Sequence, residues 1–148
     1  MRRSVPWLVH VGVPLGLGLG FYLAFRSLDV PILAWMGRIG GVETMRVKTL
    51  PLVAQLPHFV NDSLVDGLAA YALGAALSLI WLTDKERRRW LLFGYVVALG
   101  FEFVQWPGAV PGIFGWTDVV AIVLFYPLGA ILASNSATSW TLRMLPSG

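Results

Sequence analysis

The chain has 148 residues, of which 57% are hydrophobic and only 13% charged, with a mean hydropathy of +0.71; a soluble domain carries about 25% charged residues. The net charge is +3 and there is no cysteine, which excludes disulfides, thiolate metal sites and thiol nucleophiles. The basic residues stand between apolar runs and form no stripe with interleaved aromatics, so they imply membrane topology rather than nucleic acid. The expected fold class is all-α: a polytopic membrane protein, a compact four-helix transmembrane bundle in one domain, 1–148, with a partly ordered outer segment.

The first expected span covers 7–27. It follows Arg2 and Arg3, exceeds the usual length of a signal-peptide core and lacks a clear small-x-small cleavage site, so it reads as a retained helix. Gly12, Gly16 and Gly20 recur at four-residue spacing and form a smooth stripe on which a helix can pack, within this bundle or from an integral-membrane partner. Pro14 lacks an amide donor and predicts a bend. His10, near the inner end, reads as an interfacial or helix-contact histidine rather than a metal ligand.

An outer segment over 28–61 follows. Its short apolar pieces "PILAWMG" and "LPLVAQLPHFV" flank the polar "RIGGVETMRVK". Neither piece is long enough to cross about 30 Å of hydrocarbon. The segment is expected to fold over the outer mouth of the bundle, with Arg38, Arg46, Lys48 and His58 as charge partners for acids there. Asn61, Asp62 and Ser63 are expected to cap the next helix.

The second and third spans are expected over 64–83 and 90–106, joined by the short basic link "DKERRRW" in a tight antiparallel hairpin. The fourth is expected over 114–133, with Pro127 inside it and a polar tail behind it. Arg2, Arg3, Lys85, Arg87, Arg88, Arg89 and Arg143 fall on one side. Arg38, Arg46 and Lys48 fall on the other, with Arg26 near that end of the first span. The richer side is expected to be cytoplasmic, which puts both termini inside.

Three acids then converge in depth. Asp66 opens the second span, Glu102 closes the third and Asp118 opens the fourth, all within about 3–6 Å of the outer boundary at 1.5 Å rise per residue. A carboxylate below that boundary is costly unless paired or wet. Gln105 shares a helix face with Glu102. Glu102, Gln105, Asp118 and Asp66 are therefore the residues expected to line a polar recess. The competing reading is structural: Asp118 and Asp66 in the first turn of a helix are stabilised by free amides and the helix dipole.

The run "EFVQWPGAVPGIFGWTDVVAIVLFYPLGAILA", with "LPHFVNDSLVDGLAAYALGAAL" upstream, resembles the VanZ-like family of small bacterial membrane proteins. The likeness lies in a Glu-x-x-Gln near the end of one span, a short turn, and an aspartate opening the next. It covers roughly residues 51 to 133. The chain departs from the pattern in having no arginine over 110–117, and Ala121 and Ile122 where the family often carries an asparagine. The resemblance implies a place in the bacterial cytoplasmic (inner) membrane, near outer-leaflet envelope precursors. It implies membrane lipids or an envelope glycolipid as partners.

It transfers no reaction class. The sequence holds no HExxH, nucleophile elbow or Walker loop, and no metal or cofactor set. Two function classes remain open: a protein that binds or acts on envelope lipids, and an accessory or assembly subunit of a larger membrane complex.

Overall fold

The computed structural model describes residues 4–25, 58–106 and 114–142, with single positions 44, 47, 48, 51 and 55 between them. Most of the expected outer segment lies outside the described residues. The described elements are helical, with no strand among them. The first helix is continuous but not uniform: α1 (Ser4–Trp7) leads into a π-helical turn (Leu8–Gly12) and then α2 (Val13–Phe25). Behind it come α3 (His58–Ile80), α4 (Arg87–Gln105) and α5 (Trp116–Leu142).

The π turn has a local cause. Pro14 has no N–H to give the carbonyl of His10, and its ring crowds that carbonyl. The preceding turn widens, and the N–H of Val13 reaches back to the oxygen of Leu8. The expected bend at Pro14 thus takes the form of a widened turn, and that turn carries His10.

The scaffold is the pair α3 and α5, which run parallel in close contact. A Cβ at Gly74 would overlap the Tyr126 carbonyl oxygen, and one at Gly129 would overlap the Tyr71 carbonyl oxygen. Gly67 meets Ala121 and the Phe125 ring at 3.3–3.4 Å from its would-be Cβ. Small residues let the two backbones approach where a branched side chain would hold them apart. Ser78, fully buried, donates from Oγ to the Ala130 carbonyl at 2.9 Å and ties the pair at its far end.

Helix α4 runs antiparallel to α5. The Tyr126 hydroxyl donates to the Leu91 carbonyl at 2.7 Å, and its ring lies 5.2 Å from that of Tyr95. A Cβ at Gly94 would overlap Leu77 and lie 2.7 Å from the Tyr126 oxygen, so glycine is what admits the phenol between α4 and α3. Ala70, Ile122 and Tyr126 form the buried core, flanked by Leu77, Tyr95, Ala98 and Leu99. The α3–α4 turn is closed by Trp81 stacked on Trp90, 5.0 Å apart and within 7° of parallel.

The first helix packs on α3 through Gly18, whose would-be Cβ lies 3.6 Å from Leu68 Cβ. The Gly12–Gly16–Gly20 stripe does not make this contact. Among the described residues nothing lies within 4 Å of a Cβ at Gly16 or Gly20, and Gly12 meets only its own helix. The reason is angular: Gly18 is two residues off the stripe and points to another face of the helix.

Among the described residues, three stretches are long and apolar enough to cross a membrane: Ser4–Ala24, Ser63–Ile80 and Trp116–Ser139. Helix α4, expected as a fourth span, is not among them. Its 19 residues begin with three arginines and include Glu102. The observed ends also differ from those expected. Helix α3 begins at His58, so Ser63 lies within the helix rather than at its cap. Helix α5 runs on to Leu142 through the polar stretch expected as a tail. There Ser134, Thr138 and Ser139 donate back to the carbonyls of Ile131, Ser134 and Ser136, so the hydroxyls are satisfied by their own helix.

Replacing Gly74 or Gly129 with leucine should lower stability by about 1–3 kcal/mol or more, because the added volume meets backbone. Gly16→Leu should be near neutral in the isolated chain. Thermal unfolding of the three variants in one mild detergent checks the contrast.

Candidate functional site at the acidic end

The helix directions place the N-terminal ends of α3 and α5 beside the C-terminal end of α4. That end carries the expected acids, while Lys85, Arg87, Arg88 and Arg89 stand at the opposite end. Glu102 is 5% exposed and Asp118 8%. Both converge on Gly115. The Gly115 N–H donates to Glu102 Oε1 at 3.0 Å, a bond from backbone to carboxylate that links α4 to the entry of α5. The Gly115 carbonyl accepts from the amides of Asp118 (3.0 Å) and Val119 (3.2 Å), starting the helix. The Asp118 carboxyl folds back over the same residue. A Cβ at Gly115 would lie 2.5 Å from Asp118 Oδ2, so this close approach requires glycine.

Asp118 sits in the first turn of α5, where the dipole favours negative charge. Its Oδ1 is nevertheless buried without a hydrogen-bond partner. Ser63 Oγ, on the facing helix α3, is in the same condition, and the residue is 7% exposed. Buried polar atoms left unpaired cost about 1–3 kcal/mol each.

Beside these groups an apolar groove of about 440 Å³ runs between α3 and α5, walled by Ser63, Leu64, Trp116, Val120, Leu124 and Phe125. Thr117 and Ala121 complete the lining, and Asp118 is not part of it. Four aromatic rings cover the same end. Trp106 stacks on Phe114 at 5.0 Å, and Trp116 meets Phe114, Trp106 and Phe103 edge-on at 5.2, 5.8 and 6.3 Å. Trp106 and Trp116 remain 62% and 60% exposed.

Of the other expected site residues, Gln105 and Asp66 are half-buried, Asp66 three residues after Ser63 on α3. Lys48 is exposed. Arg38 and Arg46 lie outside the described residues, and His58 opens α3. Among the described residues no cluster of three or more His, Cys, Asp or Glu could hold a metal ion.

A second polar cluster stands away from this end. His10 Nδ1 is 2.7 Å from the Tyr71 hydroxyl and Nε2 is 2.9 Å from Ser136 Oγ, so one ring links the first helix to α3 and α5. The sequence suggested a helix contact for His10 but neither partner. Ser136 belongs to the stretch read as a tail, and nothing in its spacing joins residues 10, 71 and 136. Gly115 was missed for a similar reason: its role depends on a fold-back that residue type alone does not signal.

No family model matches the chain, and neither a curated protein nor a solved structure matches it.

Two outcomes follow. Glu102→Gln keeps an acceptor for the Gly115 amide and should cost about 0.5–1.5 kcal/mol, whereas Glu102→Leu orphans that amide and should cost about 1–3 kcal/mol; thermal unfolding in detergent measures both. His10→Ala removes two interhelical bonds worth roughly 0.6 kcal/mol each. Hydrogen exchange over residues 4–12 should then quicken several-fold, with residues 94–105 unchanged.

Proposed function

We propose that the chain is a VanZ-like multi-pass protein of the bacterial cytoplasmic membrane that binds an envelope lipid or glycolipid at its acidic end. In this reading α4 crosses with the other three helices, both termini are cytoplasmic and the acidic end lies at the outer leaflet. The supporting observation is the apolar groove set beside buried polar atoms that lack partners. Its volume falls in the about 300–1,000 Å³ of ligand sites. A lipid offers such a groove the hydrocarbon that its apolar walls lack.

Four crossing helices fit the exposure pattern of α4. Leu92, Phe93, Val96, Val97 and Phe101 are 49–62% exposed, an outward face suited to hydrocarbon, while Glu102 turns inward. The helix is about 28 Å long at 1.5 Å per residue, and its arginines stand at the end where the positive-inside bias would put them. The tryptophan pair at that end and the aromatic group at the other fit two membrane interfaces.

A second reading has one observation in its favour. Gly12 and Gly16 are exposed on the first helix, and among the described residues none lies within 4 Å of a Cβ at Gly16 or Gly20. This face suits close approach by a helix of another integral-membrane protein, as an accessory subunit would require.

Purification in mild detergent with identification of co-purifying lipids and proteins separates the two readings. The lipid reading expects bound lipid in the wild type, reduced at least several-fold by Leu124→Trp, which fills the groove. A stoichiometric protein partner lost in Gly16→Leu, with lipid content insensitive to Leu124→Trp, would instead establish the subunit reading.

A further inference from the structure

We infer that the groove between α3 and α5 takes one fatty-acyl chain and reads it by length, without reading the head group. The inference rests on the lipid reading above and names the part of the lipid that is recognised.

The walls come first. Most of the groove is lined by Leu64, Val120, Ala121, Leu124 and Phe125, whose side chains are hydrocarbon only. No charged side chain lines it. Of its two polar residues, Ser63 keeps its Oγ buried and out of reach of a ligand. Thr117 stands beside Trp116 in the first turn of α5, at one end of the groove. A polar group seated among the remaining walls would lose its water and gain no hydrogen bond. A run of methylenes has no such bond to lose.

Size narrows the occupant. Along α5 the lining runs from Trp116 to Phe125, about 13–14 Å at 1.5 Å per residue. Spread over that helical length, the volume of about 440 Å³ gives a cross-section of roughly 33 Å². An extended chain rises about 1.25 Å per carbon, from bonds near 1.52 Å and angles near 111°. A methylene occupies about 30 Å³, the share of one water in its liquid, so such a chain has a cross-section of roughly 24 Å². One chain fits and two side by side do not. A helix of another protein, about 10 Å across with its side chains, is wider still. By length the groove holds about 11 carbons, and by volume about 15.

Entry and depth agree with this occupant. Val120 and Leu124 are exposed, so the groove is open along its side and a chain enters from surrounding hydrocarbon without threading. Trp116, exposed at the start of α5, marks the level that an indole favours at a membrane interface. A chain lying between Trp116 and Phe125 leaves its head group beyond that level, outside the groove.

The test uses the full chain in mild detergent, with native mass spectrometry of single-chain lipids. Retention by the wild type is divided by retention by Leu124→Trp, a change at an exposed wall position. For lysophosphatidylcholines of about 8 to 18 carbons, this ratio should climb with each added methylene and level off at about 11–15 carbons, where the groove is full. At one chain length, lysophosphatidylcholine, lysophosphatidylglycerol and monoacylglycerol should give ratios within about twofold of one another. Val120→Trp, at a second exposed wall position, supplies the same reading if Leu124→Trp does not fold. A ratio indifferent to chain length overturns the inference. So does a ratio that differs about tenfold or more between head groups. Both of those outcomes leave the lipid reading standing, because lipid is still bound. Retention of no lipid by the wild type ends both.

Discussion

Close approach of α3 and α5 is the constraint on which the rest depends. Gly74 sits against the Tyr126 carbonyl and Gly129 against the Tyr71 carbonyl, so each helix offers a glycine to the other's backbone. Two contacts of this kind, separated along the axis, fix both spacing and register. In hydrocarbon no hydrophobic force draws helices together, and close van der Waals packing takes its place. The parallel direction then has a chemical consequence. Both helices begin at the same end, so Ser63 and Asp118, each near a beginning, stand at one end of the bundle. An antiparallel pair would have sent them to opposite ends.

Gly115 plays a smaller but similar part. It uses both halves of its peptide chemistry, its amide on Glu102 and its carbonyl on the amides that open α5. The lack of a side chain gives the Asp118 carboxyl room to fold back. Two like charges can be buried side by side only if each is held by something other than its neighbour. The backbone amide does this for Glu102, and the helix dipole does part of it for Asp118. That part is incomplete, because Oδ1 is left unpaired. The hydroxyls of the lower α5 show the contrast. Ser134, Thr138 and Ser139 all bond to their own helix, and Ser136 bonds to His10.

What the sequence made legible was the helical class and the gathering of Glu102 and Asp118 at one end of the bundle. That gathering follows from rise per residue once the apolar runs are located, before the contact of both with Gly115 was seen. Facing was much less legible. The four-residue spacing of Gly12, Gly16 and Gly20 drew the eye, yet Gly18 makes the contact with Leu68. Spacing says which residues share a face, and only the position of a neighbour says which face is used. Of the glycines that set the bundle, Gly74 stands seven residues from Gly67 on one small-residue side of α3, whereas Gly129 has no glycine at four or seven residues from it. Helix ends were illegible for another reason: serine and threonine read as tail residues, while in α5 they bond backwards and let the helix continue.

The same distinction bears on the sign of the site. Counting basic residues in the expected outer segment suggests an anionic ligand, because Arg38, Arg46 and Lys48 lie there in the sequence. Geometry weights the groups differently. A charge on an exposed side chain is screened by solvent within about 8–10 Å, so it steers a ligand without deciding what is held. A buried carboxyl oxygen without a partner is screened far less, and each unmet hydrogen bond there counts nearly in full. Lys48 is exposed, whereas Asp118 and Ser63 are buried.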